Sequence, residues 1–324
     1  MMKFLIAGFG SIGRRHFRNL LALGQKDILF LRSQKGTLSS DEIAGFPVET
    51  EIRTALAHKP DAVIVSNPTS MHLDVAIPAA EMGAHLLLEK PISHSMARVD
   101  QLRAAVTRGG GQILVGFQFR FHPGLEKIAL LLKEGDIGRP LSVRAHWGEY
   151  LPDWHPWENY RDGYSARADL GGGVVLTLSH PLDYLRWFLG DVESLWSFTS
   201  SQSNLDLQVE DTAEIGLRFS NGVIGSVHLN YTQRPPVHRL EIVGERGTIH
   251  WDNSDGAVYV YRVEKGLWEI ISPPEGFSRN DLFLDEMRHF IALAQGNADS
   301  LCTLDDGVQA LQLAEKILSP TQDS

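Results

Sequence analysis

The sequence predicts an α/β protein: an N-terminal doubly wound parallel sheet, then an α+β unit built on an open, mostly antiparallel sheet. Three observations carry this. Up to about residue 118, short apolar runs alternate with helical patterns, the signature of parallel strands joined by crossover helices. Past residue 120 most of the candidate strands follow one another directly, with hairpin turns between them. The chain has 324 residues, more than one ordinary core accommodates, so it divides into 1–120 and 121–324.

The first strand candidate is Phe4–Ala7. Gly8-Phe9-Gly10-Ser11-Ile12-Gly13 follows it directly and opens a helix over 12–23. Strand, glycine turn, helix is the order in which a dinucleotide is held. The first glycine permits the turn, the second lets a pyrophosphate approach the backbone, and the third lets helix and strand pack closely. The phosphates then meet the unpaired N–H groups of the helix start, including those at Ser11 and Ile12. Further strands are expected at Ile28–Leu31, Ala62–Ser66, His85–Leu88 and Gln112–Gly116, with helices near 51–58, 71–82 and 95–107. The ligand belongs at the loops on the carboxyl ends of these strands.

In the second half a helix over Pro123–Lys133 precedes a strand at Leu141–Trp147. An aromatic segment, 148–168, then leads to Gly171-Gly172-Gly173 and a helix ending at Leu189. Strands follow at Val192–Thr199, Thr212–Phe219, Val223–Asn230, Arg239–Val243, Thr248–Trp251, Ala257–Arg262 and Trp268–Ile271. Ser220-Asn221-Gly222 and Glu245-Arg246-Gly247 read as hairpin turns. Helices at 281–295 and 304–318 close the chain, the second with a capping box from Thr303 to Asp306. Helices on one face of this sheet leave the other to be buried by a partner subunit, so a homodimer or homotetramer is expected.

Thirty basic against forty acidic residues give a net charge of −10, which argues against nucleic acid or an anionic membrane as partner. A single cysteine, Cys302, forms no internal disulfide and fits a reducing cytoplasm. The apolar start reads as a first strand rather than a signal peptide. No run approaches the ~18 apolar residues of a membrane span. No His/Cys/Asp cluster has metal-ligand spacing.

Nineteen residues past Gly13, where an acid would bond the ribose of NAD, stands Arg32, followed by Ser33 and Lys35. This set suits a 2′-phosphate, so NADP is preferred, with NAD as the alternative.

Glu89-Lys90-Pro91, Asn67-Pro68-Thr69 with His72, Gly116-Phe117 with Arg120, Phe121 and Pro123, the triple glycine with His180 and Asp183, and Gly244-Glu245-Arg246-Gly247-Thr248 occur in a specific order. Together with the glycine turn they resemble the Gfo/Idh/MocA oxidoreductases, the family of glucose-fructose oxidoreductase and inositol dehydrogenase. Gly8–His16 and Tyr164-Ser165-Ala166 resemble members of surface-polysaccharide or sialic-acid-type sugar pathways. The resemblance implies NAD(P)-dependent hydride transfer at a secondary alcohol or carbonyl of a sugar, nucleotide-sugar or cyclitol. It also implies a C-terminal domain that binds substrate and forms the oligomer. Asn67, Pro68, Thr69, His72, Glu89 and Lys90 would then join the cofactor site.

A lysine at the end of a buried strand is costly unless it has a task. By resemblance Lys90 meets the substrate hydroxyl, with Glu89 holding it, and Pro91 fixes the turn at the one kind of junction where a cis bond is cheap. His180 suits proton transfer near neutral pH. Thr177, His180 and Asp183, spaced by three, would share one helix face. Many family members carry aspartate where Thr177 stands, so Thr177 and Asp183 are assigned to positioning substrate or base. Gly172 allows a close backbone approach, and Arg120, Tyr160 and Arg161 are substrate-binding candidates. Two other activities remain open: an NAD-dependent glycoside hydrolase of the same family, and a catalytically weak NAD(P)-binding sensor or partner protein.

Overall fold

The computed structural model describes residues 2–33 and 41–319; the expectation for Lys35 lies outside these residues. The chain forms two compact units. One comprises Met1–Gln118, Asp169–Gly171 and Arg279–Leu311; the other comprises Phe119–Ala168, Gly172–Ser278 and Gln312–Ser324. The division near residue 120 therefore has two returns to the first unit: a three-residue piece, and a segment holding the penultimate helix and the first half of the last one.

The first unit holds a six-stranded parallel sheet. Its strands are β1 (Phe4–Ala7), β2 (Ile28–Leu31), β3 (Val48–Glu49), β4 (Ala62–Val65), β5 (His85–Glu89) and β6 (Ile113–Gly116). Their spatial order is β3-β2-β1-β4-β5-β6, so the direction in which successive strands are added reverses between β1 and β4, while all of them run parallel. Ligands bind beyond the strand ends at that switch point. β1 and β4 are buried throughout, as expected of strands covered on both faces. Helices α1 (Ser11–Ala22), α2 (Ile52–Ala57), α3 (His72–Glu81) and α4 (Val99–Gly109) connect them. Among the described residues the strand that the sequence does not show is β3: two residues are too few to show a period. Phe9, Phe17, Phe30 and Phe46 interlock edge to face, with ring centroids 5.1–6.0 Å apart.

The second unit contains α5 (Pro123–Lys133), β7 (Pro140–Tyr150), α6 (Val174–Thr177), α7 (His180–Leu189) and seven further strands. These are β8 (Val192–Ser200), β9 (Thr212–Phe219), β10 (Ile224–Asn230), β11 (Thr232–Gly244), β12 (Gly247–Asp252), β13 (Val258–Arg262) and β14 (Leu267–Ile271). The order is β14-β13-β12-β11-β7-β10-β9-β8, antiparallel except where β10 runs parallel to β7. Both expected hairpins form, β9–β10 and β11–β12. β11 begins seven residues earlier than its apolar pattern shows, because its first part contains Pro235 and Pro236 and a register shift.

Alternation sorts the strands into two faces. Ala145, Val227, Leu240, Ile242, Ile249, Trp251, Val258 and Val260 point into the core. Their neighbours Arg144, His146, His228, Arg239, Glu241 and His250 lie on the opposite face. α8 (Arg279–Ala294) and α9 (Leu304–Leu318) end the chain. The capping box opens α9: Thr303 N–H donates to Asp306 Oδ2 at 2.8 Å, and Asp306 N–H donates back to Thr303 Oγ1 at 3.2 Å. Among the described residues no helix is long and apolar enough to cross a membrane.

Candidate active site

In the first unit the glycine turn occupies the switch point. Gly8 has φ +94°, and a Cβ there would lie 2.6 Å from Asn67 N. A Cβ on Gly13 would lie 2.2 Å from Gly8 O, so this glycine seats α1 against the turn. Gly10 differs: a Cβ there would meet nothing within 4 Å. The space lies before the start of α1, whose first turn holds no acid and whose N-cap makes no side-chain bond. Free amides, absent carboxylates and open space at Gly10 fit a bound pyrophosphate. Ser11 and Ile12 begin the helix there, and Arg32 and Ser33 follow β2 without an acid. Asn67, Pro68 and Thr69 follow β4.

His72 sits behind this rim. Its Nδ1 is 2.9 Å from Pro91 O and its Nε2 is 3.0 Å from Asn67 O. Burial pushes its pKa down. The ring spans the loops after β4 and β5 as a strut, both nitrogens facing main-chain carbonyls, and in its neutral form it donates to one of the two.

Lys90 stands at the end of β5, half-buried, before a cis bond to Pro91. Its main-chain N–H donates to Glu89 Oε2 at 3.3 Å, while Glu89 Oε1 lies 2.7 Å from His16 Nε2. Gly116 leaves room for this carboxylate, since a Cβ there would be 3.1 Å from Glu89 Oε2. Glu286 of α8 completes the cluster, with one ligand atom from each of His16, Glu89 and Glu286 within 4.8 Å of one another. Glu286 is fully buried and neither carboxylate oxygen has a hydrogen-bond partner. Desolvation first, then the nearby Glu89, push its pKa well up, which favours its protonated form. The sequence reading missed His16 and Glu286. Glu286 could have been found as the acid on the buried stripe Leu282, Phe283, Met287, Phe290.

In the second unit Thr177, His180 and Asp183 are all buried, with exposures of 3%, 1% and 1%. They do not share one continuous helix as expected. Thr177 ends α6 and His180 opens α7, because Leu178 departs from helical geometry and Pro181 restarts the helix in its first turn. His180 packs against Phe119 and Trp147, with centroids 4.8 Å and 5.4 Å away.

Asp183 and Arg120 are paired with each other, through Nη2–Oδ1 at 2.7 Å and Nε–Oδ2 at 3.0 Å. This fork is the geometry proposed for Arg120 on a substrate carboxylate, and here it is made to the protein. Arg161 lies over the Tyr160 ring at 4.7 Å, and Tyr160 Oη donates to Leu205 O. Arg161 is exposed, and Tyr160 is anchored to the backbone.

Gly172 is where close approach matters: a Cβ would lie 2.3 Å from Tyr164 O. Gly173 has φ +105° and abuts the Glu210 carboxylate. Glu210 was missed by the sequence reading. It is an acid in a loop, with no periodicity to mark it. Burial lifts its pKa to about 7, against the bond from Val175 N–H.

The parallel sheet and its glycine turn define a dinucleotide-binding domain. The chain belongs to the Gfo/Idh/MocA oxidoreductase family: residues 2–117 match its NAD-binding Rossmann fold, and residues 125–250 match its C-terminal domain. Myo-inositol 2-dehydrogenase of Thermotoga maritima is 26% identical, with 96% of this chain and 94% of that protein covered. Levoglucosan dehydrogenase of Pseudarthrobacter phenanthrenivorans is 27% identical, with 85% and 82% covered. Among solved structures, a levoglucosan dehydrogenase complex with NADH and levoglucosan superposes with a TM-score of 0.86 at 20% identity, covering 98% of this chain and 96% of that one. The WlbA dehydrogenase from Bordetella pertussis, in complex with NADH and UDP-GlcNAcA, gives 0.82 at 22% identity, covering 98% and 95%.

Proposed function

We propose that this oxidoreductase interconverts a secondary alcohol and a carbonyl on a sugar, nucleotide-sugar or cyclitol. The observation that carries the reading is the fixed strand end of β5. Lys90 follows Glu89, whose carboxylate is held by His16, in the same unit as the glycine turn. A bound nicotinamide supplies the hydride donor or acceptor. Gly8, Gly10, Ser11, Ile12 and Gly13 would seat its pyrophosphate, with Asn67, Pro68 and Thr69 on the rim. Lys90 would stabilise negative charge on the reacting oxygen, and His180 would hold or release its proton.

NADP is the preferred cofactor in this reading. Arg32, which also lies over the Phe9 ring at 5.4 Å, follows β2 where an acid would select NAD. A cytoplasmic homo-oligomer, assembled through the open face of the eight-stranded sheet, completes the proposal. Trp196 and Phe198 are exposed at one end of that face, and Trp268 and Ile270 at the other.

The test is turnover of inositols, anhydrosugars and UDP-sugars with NADPH and NADH, using wild type, Lys90→Ala, His180→Ala and Arg32→Ala. The expected result is a loss of roughly 10²–10⁴ in kcat for the first two. Arg32→Ala should raise KM for NADPH alone. Full turnover by Lys90→Ala would overturn the mechanism. Glycoside cleavage without net cofactor change would assign a hydrolase instead.

A further inference from the structure

We infer that Glu210 is the positioning carboxylate of the second unit, clamping the glycine turn from which the Thr177–His180 segment starts. The inference rests on the reading that His180 handles the substrate proton. Glu210 precedes β9 and grips the start of α6 twice. Its main-chain oxygen accepts from Val174 N–H at 3.0 Å, and its Oε1 accepts from Val175 N–H at 3.0 Å. The carboxylate lies flat against Gly173, where a Cβ would be 2.4 Å from Oε1 and 2.5 Å from Oε2.

On the other side, Ser165 O accepts from Gly173 N–H at 3.0 Å and from Tyr231 Oη at 3.3 Å. The turn is thus held between Ser165 and Glu210. Thr177 closes α6, its N–H bonded to Gly173 O at 3.0 Å, and its hydroxyl lies beside the Tyr231 phenol. His180 follows three residues later. Three residues of helix stand between Gly173 and Thr177, so play at Gly173 is carried directly to the functional side chains.

The clamp carries a charge that can be removed near neutrality. A carboxylate holds an amide N–H more strongly than a neutral acid does. The titratable groups facing Glu210 are Asp211, Tyr231 and, beyond Tyr231, Tyr164; no cation pairs with Glu210 among the described residues. Asp211 is itself occupied by Ser203 N–H and the Thr212 hydroxyl. With Glu210 titrating at about 7, the ionised fraction rises roughly tenfold between pH 6 and pH 8.

The test uses the full chain with three forms of position 210: wild type, Glu210→Gln and Glu210→Ala. Glu210→Gln retains an oxygen for Val175 N–H and imitates the protonated acid, so it folds. Amide hydrogen exchange of the peptide spanning 172–180, corrected for intrinsic rates, is followed from pH 6 to pH 8. Protection in the wild type should rise severalfold with a midpoint near 7. It should be flat in Glu210→Gln and low throughout in Glu210→Ala. A flat wild-type profile overturns the clamp.

With a substrate from the screen above, wild-type kcat should rise with the same midpoint. Glu210→Gln should lose that limb while KM for cofactor is unchanged. A titrating clamp without a matching limb in kcat overturns the positioning role. Absence of any turnover with the exchange profile intact indicts the assigned function and not the clamp.

Discussion

Arg120 and Asp183 form a two-pronged ion pair inside the second unit, with side-chain exposures of 6% and 1%. Arg120 comes from the 3₁₀ turn Gln118–Phe121 and Asp183 from the first turn of α7, one residue type fixing the other across 63 positions of sequence. The pair holds α7, and with it His180, relative to the turn that carries Phe119. Breaking it leaves one charge buried without compensation, which costs about 3–5 kcal/mol. Asp183→Ala should therefore lower the urea midpoint sharply, and Arg120→Met with Asp183→Leu should recover much of the loss. A double variant as unstable as the single one would mean that packing, and not charge, dominates there.

The His16–Glu89–Glu286 cluster makes a prediction about pH. Glu286 has a folded pKa raised far above its unfolded value. The folded state then holds a proton that the unfolded chain has lost, so stability falls as pH rises above the ordinary glutamate range. Glu286→Gln keeps the shape and removes the titration. We expect it to stabilise the protein at pH 7–8 by on the order of 1 kcal/mol, or about 2–4 °C in Tm, with little effect at pH 5. Thermal melts across pH check this. Destabilisation by Glu286→Gln at pH 8 would show that the ionised carboxylate is the working form.

His122 predicts the opposite limb. It caps α5, its Nδ1 accepting from Gly124 N–H at 3.0 Å, and burial lowers its pKa to about 4. The neutral ring is the folded form. Its contribution is present above pH 6.5 and is lost as pH falls from there through 4, up to about 3 kcal/mol. Asn can cap with its side-chain oxygen and does not titrate. His122→Asn should thus flatten acid unfolding between pH 6 and pH 4, as measured by urea titration. An unchanged acid limb would place the sensitivity elsewhere.

The open face of the second sheet gives the fourth expectation. Phe198 is 70% exposed beside Trp196, and Ile270 is 62% exposed beside Trp268. Trp196→Glu with Phe198→Glu should shift sedimentation toward the monomer without changing the Tm of the isolated subunit by more than a few degrees. A wild-type protein that sediments as a monomer at micromolar concentration would remove the oligomer from the proposal.

The sequence by itself determined most of the elements and the place of the glycine turn. Phe4–Ala7 followed by Gly8, Gly10 and Gly13 fixes a strand, a turn and a helix through local sterics, and the order of apolar runs fixes a parallel sheet before an antiparallel one. Local rules also sufficed for the Thr303–Asp306 box and the two hairpins.

What the tertiary structure decided was partnership. Spacing placed Thr177, His180 and Asp183 on one face, but a break at Leu178 separates Thr177 from the other two, and Asp183 is directed to Arg120. His72 has the composition of a ligand-binding residue and serves as a strut, because both loop carbonyls reach its ring. Glu210 carried no spacing signal, and Glu286 showed only as an acid on the buried stripe of its helix. Their significance comes from desolvation and from neighbours distant in sequence, and a one-dimensional pattern contains neither.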